Sequence, residues 1–150
     1  MIVAKGSSHN HQAWEGGYPD HILQCLCLAE KMYRVLGEMS PLPFTLESAC
    51  VVLYFHDIEK IWKYSTGLPV GFDKTKWYTV ILPQRYAVDF TEDEINALQY
   101  IHGADSSYRK DQRVLGPLAA FCHVVDTISA RVFHDKKIGD LNGITDCSAW

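Results

Sequence analysis

A chain of 150 residues matches the size of one domain and is long enough to bury a core without disulfides or structural metals as staples. Its 47% hydrophobic and 21% charged residues are those of an ordinary globular protein, and a formal net charge of -4 argues against tight non-specific binding to long nucleic acid while leaving small anionic substrates open. There is no signal peptide and no apolar run long enough to cross a bilayer, which together with an odd set of five cysteines points to a reducing, cytoplasmic setting and away from a membrane.

In chain order, a polar and Gly-containing entry over 7–17 leads into Pro19, a residue favoured in a first helical turn. Ile22, Leu23, Leu26, Ala29, Met32, Tyr33 and Leu36 then recur at three- and four-residue spacing, which predicts a helix over 19–36 closed by Gly37 and Pro41-Leu42-Pro43. Thr45 is placed to cap a second helix running through Val51-Val52-Leu53-Tyr54-Phe55 into His56-Asp57 and Lys60. Between 65 and 90 the composition turns to Gly, Pro, Lys and aromatics without a clear period, predicting a long irregular excursion with a short helix over 77–82. Thr91-Glu92-Asp93-Glu94 is a capping box, so a third main helix is expected to run to about Ile101 and stop at His102-Gly103. A fourth is expected over 117–133, followed by a polar tail whose apolar end, Trp150, is available to dock on the body or on a partner; self-association is compatible with this. The fold class predicted is a compact all-α bundle forming one domain over 1–150. Cys25, Cys27, Cys50 and Cys122 fall in the helical stretches and read as reduced core residues, Cys147 in the tail being the fifth; Cys25-x-Cys27 is too tightly spaced for a zinc knuckle.

The doublet His56-Asp57 closes an apolar run that should be buried, where a carboxylate and an imidazole are costly unless paired, hydrogen-bonded or bound to a metal. Two further polar groups share that setting: His21, one turn into the first helix, and Asp126, flanked by Phe121, Val124, Val125 and Ile128. Any one of the four is explained as well by a hydrogen-bonded core residue. Together, two imidazoles and two carboxylates form a borderline-to-hard ligand set suited to Mn, Fe, Co, Ni or Zn, with Mg a further candidate.

In this order His, His-Asp, Asp, the chain resembles the HD-domain metal-dependent phosphohydrolases, and its wording is similar to the HD domain of bacterial 3′–5′ exoribonucleases and related small HD proteins. His11-Gln12-Ala13-Trp14-Glu15-Gly16-Gly17-Tyr18-Pro19-Asp20-His21 resembles that group's His-His-Ala-Tyr-x-Gly-Gly entry, and His56-Asp57-Ile58-Glu59-Lys60 its His-Asp-Ile-Gly-Lys. Ile101-His102-Gly103 resembles a His-His-Gly element, and residues 118–131, ending Asp126-Thr127-Ile128-Ser129-Ala130-Arg131, the segment with the last aspartate. The resemblance implies an HD-type helical bundle with His21, His56, Asp57 and Asp126 as metal ligands. Three departures bear on what it implies: Glu59 stands where glycine is usual, Ile101 replaces one histidine of a pair, and 61–89 has no histidine where the family places a Gly-His ligand to a second metal. One firmly held metal is therefore expected, with His102 and His123 as candidates for a weaker second site. These 150 residues do not include a counterpart of the exoribonucleases' separate nucleic-acid-binding domain, so processive RNA degradation is not expected from the resemblance.

Around these ligands, Lys60 could place an ammonium near a substrate phosphate, against the alternative of a solvated lysine at a helix end. His102 could protonate a leaving oxygen, since imidazole titrates in the useful range, or could simply meet a helix C-terminus. His123, three residues before Asp126, shares its helical face and could support or extend the ligand set. His11 and Trp14 are read as a loop over the pocket, Trp14 being able to stack on a base, and Lys63, Arg131, Tyr108 and Arg109 as candidate phosphate or base contacts beside ordinary surface placement. Glu59 is expected at the surface, because adjacent helical positions diverge by about 100° and Asp57 faces the metal. His134-Asp135, in a polar exit, is discounted.

The expected activity is hydrolysis of a phosphoester bond of a nucleotide or short oligonucleotide by a metal-activated water, as phosphomonoesterase or phosphodiesterase. A deoxynucleoside triphosphate triphosphohydrolase is the alternative within catalysis, and a non-catalytic nucleotide-binding module on the same fold the alternative outside it. The expected partner is a small phosphate-containing substrate.

Overall fold

A computed structural model describes residues 3–104, 107–111 and 113–141, and among them all regular structure is helical, with no strand. Cys147 and Trp150 lie outside the described residues, and with them the proposed docking of the tail. No helix among the described residues is long and apolar enough to cross a membrane.

Helix α1, Gly17–Met39, follows Gly16 in the left-handed conformation (φ 82°) and buries Tyr18, His21, Ile22, Cys25 and Ala29. It runs through Gly37, where the sequence predicted its end. Gly37 is exposed with no atom near its missing side chain, so the helix crosses it at modest cost, and it stops where Ser40 N–H closes onto Leu36 O (3.0 Å) ahead of Pro41. Helix α2, Leu46–Phe55, starts as expected with Thr45 Oγ1 accepting from Ser48 N–H (3.2 Å), and buries Ala49, Val52 and Leu53. It ends one residue before the doublet. Residues 56–59 form a turn, and a short helix α3, Lys60–Lys63, follows it.

The excursion is more ordered than its composition suggested. Asp73 Oδ1 accepts from Lys76 N–H (2.9 Å) and starts α4, Lys74–Lys76, which widens into a π-helical segment, Trp77–Ile81, and continues as α5, Leu82–Tyr86. Leu82 N–H reaches back five residues to Trp77 O just ahead of Pro83, whose ring would crowd the preceding turn of a regular helix. Tyr78 and Leu82, four residues apart, are the buried anchors of this stretch. Helix α6, Glu92–Tyr100, carries the full reciprocal capping box of Thr91 and Glu94, and the chain turns away after it at Gly103, whose N–H closes onto Tyr100 O (2.8 Å) and whose φ of 111° suits glycine. Helix α7, Pro117–Thr127, loosens into a π-helical turn, Ile128–Val132, close to the predicted end.

Helices α1, α2, α6 and α7 pack around Cys25, Val52, Leu53, Leu98, Ile101 and Val125, all essentially inaccessible to solvent. Each buried branched side chain here stabilises by about 1.5–3 kcal/mol relative to exposure. Cys25, Cys27, Cys50 and Cys122 lie on these helices outside any disulfide, the first, second and last of them buried. The N-terminal entry is held against this body by Tyr18 N–H to Ala4 O (2.9 Å), Gly6 N–H to Gln12 O (2.9 Å) and Gln12 N–H to His134 O (2.8 Å). Gln12 itself is fully buried with a left-handed φ of 41°.

Candidate metal centre

Four side chains from three parts of the bundle meet at one point. His21 Nε2 lies 3.3 Å from His56 Nε2 and 3.2 Å from Asp126 Oδ1, while His56 Nε2 lies 3.3 Å from Asp57 Oδ2 and 3.5 Å from Asp126 Oδ1. Both imidazoles are fully buried and both carboxylates nearly so. The end of α2 brings His56 and Asp57 there together: with the helix finished at Phe55, the doublet sits in the tight turn that follows it.

Hydrogen bonds fix which nitrogen of each ring faces the cluster. His56 Nδ1 donates to Leu53 O (2.7 Å), so Nε2 is turned to the carboxylates. Ser129 Oγ donates to Gln24 Oε1 (2.9 Å) and accepts from His21 Nδ1 (2.9 Å), which turns His21 Nε2 the same way with its lone pair bare. Gln24 is held by Gln12 Nε2, which donates to its Oε1 (3.0 Å), and by its own donation to Lys136 O (2.7 Å). The two Nε2 atoms and two carboxylate oxygens thus converge on one point, and a cation bound there takes the place of any proton held between them. That donor set fits a divalent cation of the borderline-to-hard type.

The electrostatics follow from this crowding. Burial would push the Asp57 and Asp126 carboxyls up, but the facing His56 and His21 rings outweigh it and hold both well below the usual carboxylate range, with Lys60 contributing at Asp57. Burial lowers His21. Burial also opposes the charged form of His56, yet the charge of Asp57 and the hydrogen bonds to Asp126 and Asp57 lift it to about 9. Lys60 Nζ contacts Asp57 Oδ2 directly, and the lysine is buried rather than solvated.

His102 approaches from the other side. Its Nε2 lies 3.7 Å from Asp57 Oδ1 and 3.9 Å from Asp126 Oδ2, so each carboxylate turns one oxygen toward the buried histidines and the other toward His102. The ring is half exposed at the rim; partial burial, followed by the Lys74 ammonium, lowers its pKa and favours the neutral ring. His56, His102 and Asp126 form a second grouping with ligand spacing. His123 is outside the ligand groupings found among the described residues, its Nδ1 donating to Ile101 O (2.5 Å) and its side chain lining the cleft above.

This cleft, of about 690 Å³, opens over the carboxylates and is lined by Lys60, Lys63, Lys74 and Arg131 together with His11 and the Ser7–Ser8 segment. His11 is oriented by donating to Gln12 Oε1 (2.7 Å), and its ring centroid lies 5.2 Å from that of His21. Trp14 does not line the cleft. Its indole donates to Asp20 Oδ2 (2.8 Å), pinning the start of α1, because the close turn at Gln12 and Gly17 carries the chain away from the opening after His11. Tyr108 and Arg109 are exposed outside the cleft, and His134 serves through its backbone carbonyl. Glu59 is a correction of another kind: its side chain is only 12% exposed, lines the cleft and pairs with Lys74 (3.4 Å). The 100° step that placed it at the surface assumes that α2 continues through it, whereas residues 56–59 form a tighter turn closed by bonds such as Ile58 N–H to Phe55 O (3.1 Å) and Lys60 N–H to Asp57 O (2.9 Å).

Several participants carry no pattern that singles them out from sequence. Lys74 comes from the excursion, Gln12 and Gln24 look like ordinary polar residues, and Tyr78 donates to Phe55 O (2.8 Å) and His56 O (2.7 Å), closing the end of α2 beneath the doublet. Ser129 alone has a signal, lying three residues after Asp126 and so on the same face of α7. No family model, curated protein or solved structure matches the chain.

Proposed function

We propose that this chain is a metal-dependent phosphohydrolase acting on a small phosphate ester, a nucleotide or a short oligonucleotide. The observation that carries the reading is the cluster of His21, His56, Asp57 and Asp126, its rings oriented so that both Nε2 atoms face inward, at the floor of a cleft lined by four basic side chains. The HD-like order of these residues agrees with it. A divalent metal such as Mn, Fe, Co, Ni, Zn or Mg supplies, when bound, neutralisation of phosphate charge and an acidified water at neutral pH.

The remaining work falls to the protein's own groups. Lys60, Lys63, Lys74 and Arg131 give the opening a positive rim that draws a phosphate inward and holds it. Lys60, fixed against Asp57, lies nearest the ligands and is the cation placed to contact the reacting phosphoryl oxygens. His11 and His102 flank the cluster. As a neutral ring His102 offers a lone pair rather than a proton, which suits it to accept a hydrogen bond from a water, or to act as a further ligand, better than to protonate a leaving group.

The experiment is a Mn-supplemented screen of nucleotides and short oligonucleotides with product analysis, on the wild type and on Asp57→Ala. Release of orthophosphate or a mononucleotide, abolished by Asp57→Ala with helical content unchanged, is the expected result. Inorganic triphosphate would assign the triphosphohydrolase chemistry instead, and nucleotide binding without turnover a binding module. Turnover unaffected by Asp57→Ala would contradict the site assignment.

A further inference from the structure

The four cations of the metal cleft fall into two pairs. Lys60 is buried against Asp57, and Lys74, partly buried, pairs with Glu59 (3.4 Å), so both have an anion of the protein's own to balance them. Lys63 and Arg131 are exposed, and no carboxylate among the described residues lies within ion-pair distance of either. Lys63 Nζ instead stands 5.4 Å from the centre of the Tyr64 ring, which lines the same cleft.

The unpaired cations also stand farther along their elements than the residues at the cluster. Lys63 follows Lys60 by three residues on α3, and Arg131 follows Asp126 by five through the end of α7 and its π-helical turn. At about 1.5 Å per residue that is roughly 4–8 Å of added distance along each element. Three carboxylates, Asp57, Glu59 and Asp126, line the cleft with the four cations, which leaves it positive before any divalent cation is counted. An isolated exposed cation attracts a phosphate weakly through water, but a cleft lined by one sign of charge focuses the field and concentrates anions between its walls. Arg131 offers phosphate oxygens a planar fork of N–H donors, and Lys63 a point charge.

The size agrees. Sites for whole ligands run to about 300–1,000 Å³, and this cleft, at about 690 Å³, has room for more than one phosphoryl group. We propose that Lys63 and Arg131 form a second phosphate subsite, so that the ligand of this cleft carries a second phosphate beyond the one met by Lys60 at the cluster. Placement of the first phosphate rests on the phosphohydrolase reading, whereas the outer subsite rests on its two unpaired cations. The second phosphate comes from one of two sources of the same chemistry, the next phosphoryl group of a nucleoside diphosphate or the neighbouring phosphate of a dinucleotide.

Calorimetric titration of the protein as purified compares adenosine monophosphate with adenosine diphosphate, and the dinucleotide ApA with its 5′-phosphorylated form pApA, product analysis checking that each ligand stays intact. The second phosphate is expected to tighten binding about tenfold in at least one pair, the first pair marking a diphosphate and the second a dinucleotide as its source. Lys63→Gln and Arg131→Gln should each remove most of that gain while changing the affinity for the one-phosphate member of the pair by less, with circular dichroism unaltered. Equal affinities within both pairs, or a gain that survives either substitution in full, would overturn the proposal even if phosphoesters are hydrolysed. A gain that follows Lys63 and Arg131, in a protein without phosphoester turnover, would uphold the subsite and remove the hydrolase reading alone.

Discussion

Ser129 and Gln24 are uncharged and touch no cleft opening, yet they decide which nitrogen of His21 carries its hydrogen. Partners of this kind usually matter to metal affinity by about 10–100-fold, because they fix ring orientation and tautomer. Ser129→Ala should therefore weaken divalent metal binding by an amount in that range, measured by calorimetric titration, while Ser129→Thr, which restores the hydroxyl, recovers most of it. Equal affinity in wild type and Ser129→Ala would show that His21 needs no such support. Residue identity in the sequence was enough to pick out His21, His56, Asp57 and Asp126, since each is an expensive group in an apolar run. It was not enough for Trp14, whose indole turns to Asp20, or for Glu59, whose direction depends on the helix having ended four residues earlier. Gly17 shows the same dependence on neighbours: a Cβ there would stand 1.8 Å from Gln12 O. Gly17→Ala must displace the backbone that orients His11 and Gln24, and a lowered denaturation midpoint together with weakened metal binding is the expected outcome.

Elements with strong local signals were legible to within a few residues. The capping box of α6 and the Thr45 cap of α2 stand where the sequence placed them, because each depends only on residues three apart. Thr91→Ala should cost about 1 kcal/mol, read as a lower urea midpoint with unchanged slope; no change would mean that packing alone sets the start of α6. The break between α2 and α3 was not legible, because it is enforced from outside. Tyr78 of the π-helical segment donates to the carbonyls of Phe55 and His56, groups that a longer helix would engage itself. Of the helical stretch over 74–86 only the middle, 77–82, was legible, since its anchors, Tyr78 and Leu82, sit among Gly, Pro and Lys that blur the period on either side. Tyr78→Phe is expected to leave His56 O short of a donor, Phe55 O keeping the N–H of Ile58 (3.1 Å), and to cost about 1–3 kcal/mol, seen as a lower thermal midpoint. An unshifted midpoint would show that α2 ends without this help.

At the scale of the whole molecule, the four ligands come from α1, the turn after α2, and α7, so a cation bound among them ties together three elements that are far apart in sequence. The all-α class was legible because helical period dominates the chain; the depth at which the ligands meet was not, since it depends on how four helices cross. Metal that binds the folded state alone stabilises by about 2.7 kcal/mol at a hundredfold excess over its dissociation constant, which for a chain of this size corresponds to roughly 5–10 °C in thermal midpoint. Addition of Mn to chelator-stripped protein should raise the midpoint by that order, and a midpoint indifferent to every divalent metal would argue against a cation at the helix junction.

The central claim is that His21, His56, Asp57 and Asp126 form one metal-binding unit, and calorimetric titration of Mn or Zn into chelator-stripped wild type, Asp57→Ala and Asp126→Ala tests it most directly. The account predicts binding of about one equivalent by the wild type, lost in both variants while their circular dichroism stays helical. Wild type that binds no divalent metal, or variants that bind it as tightly as the wild type, would contradict it.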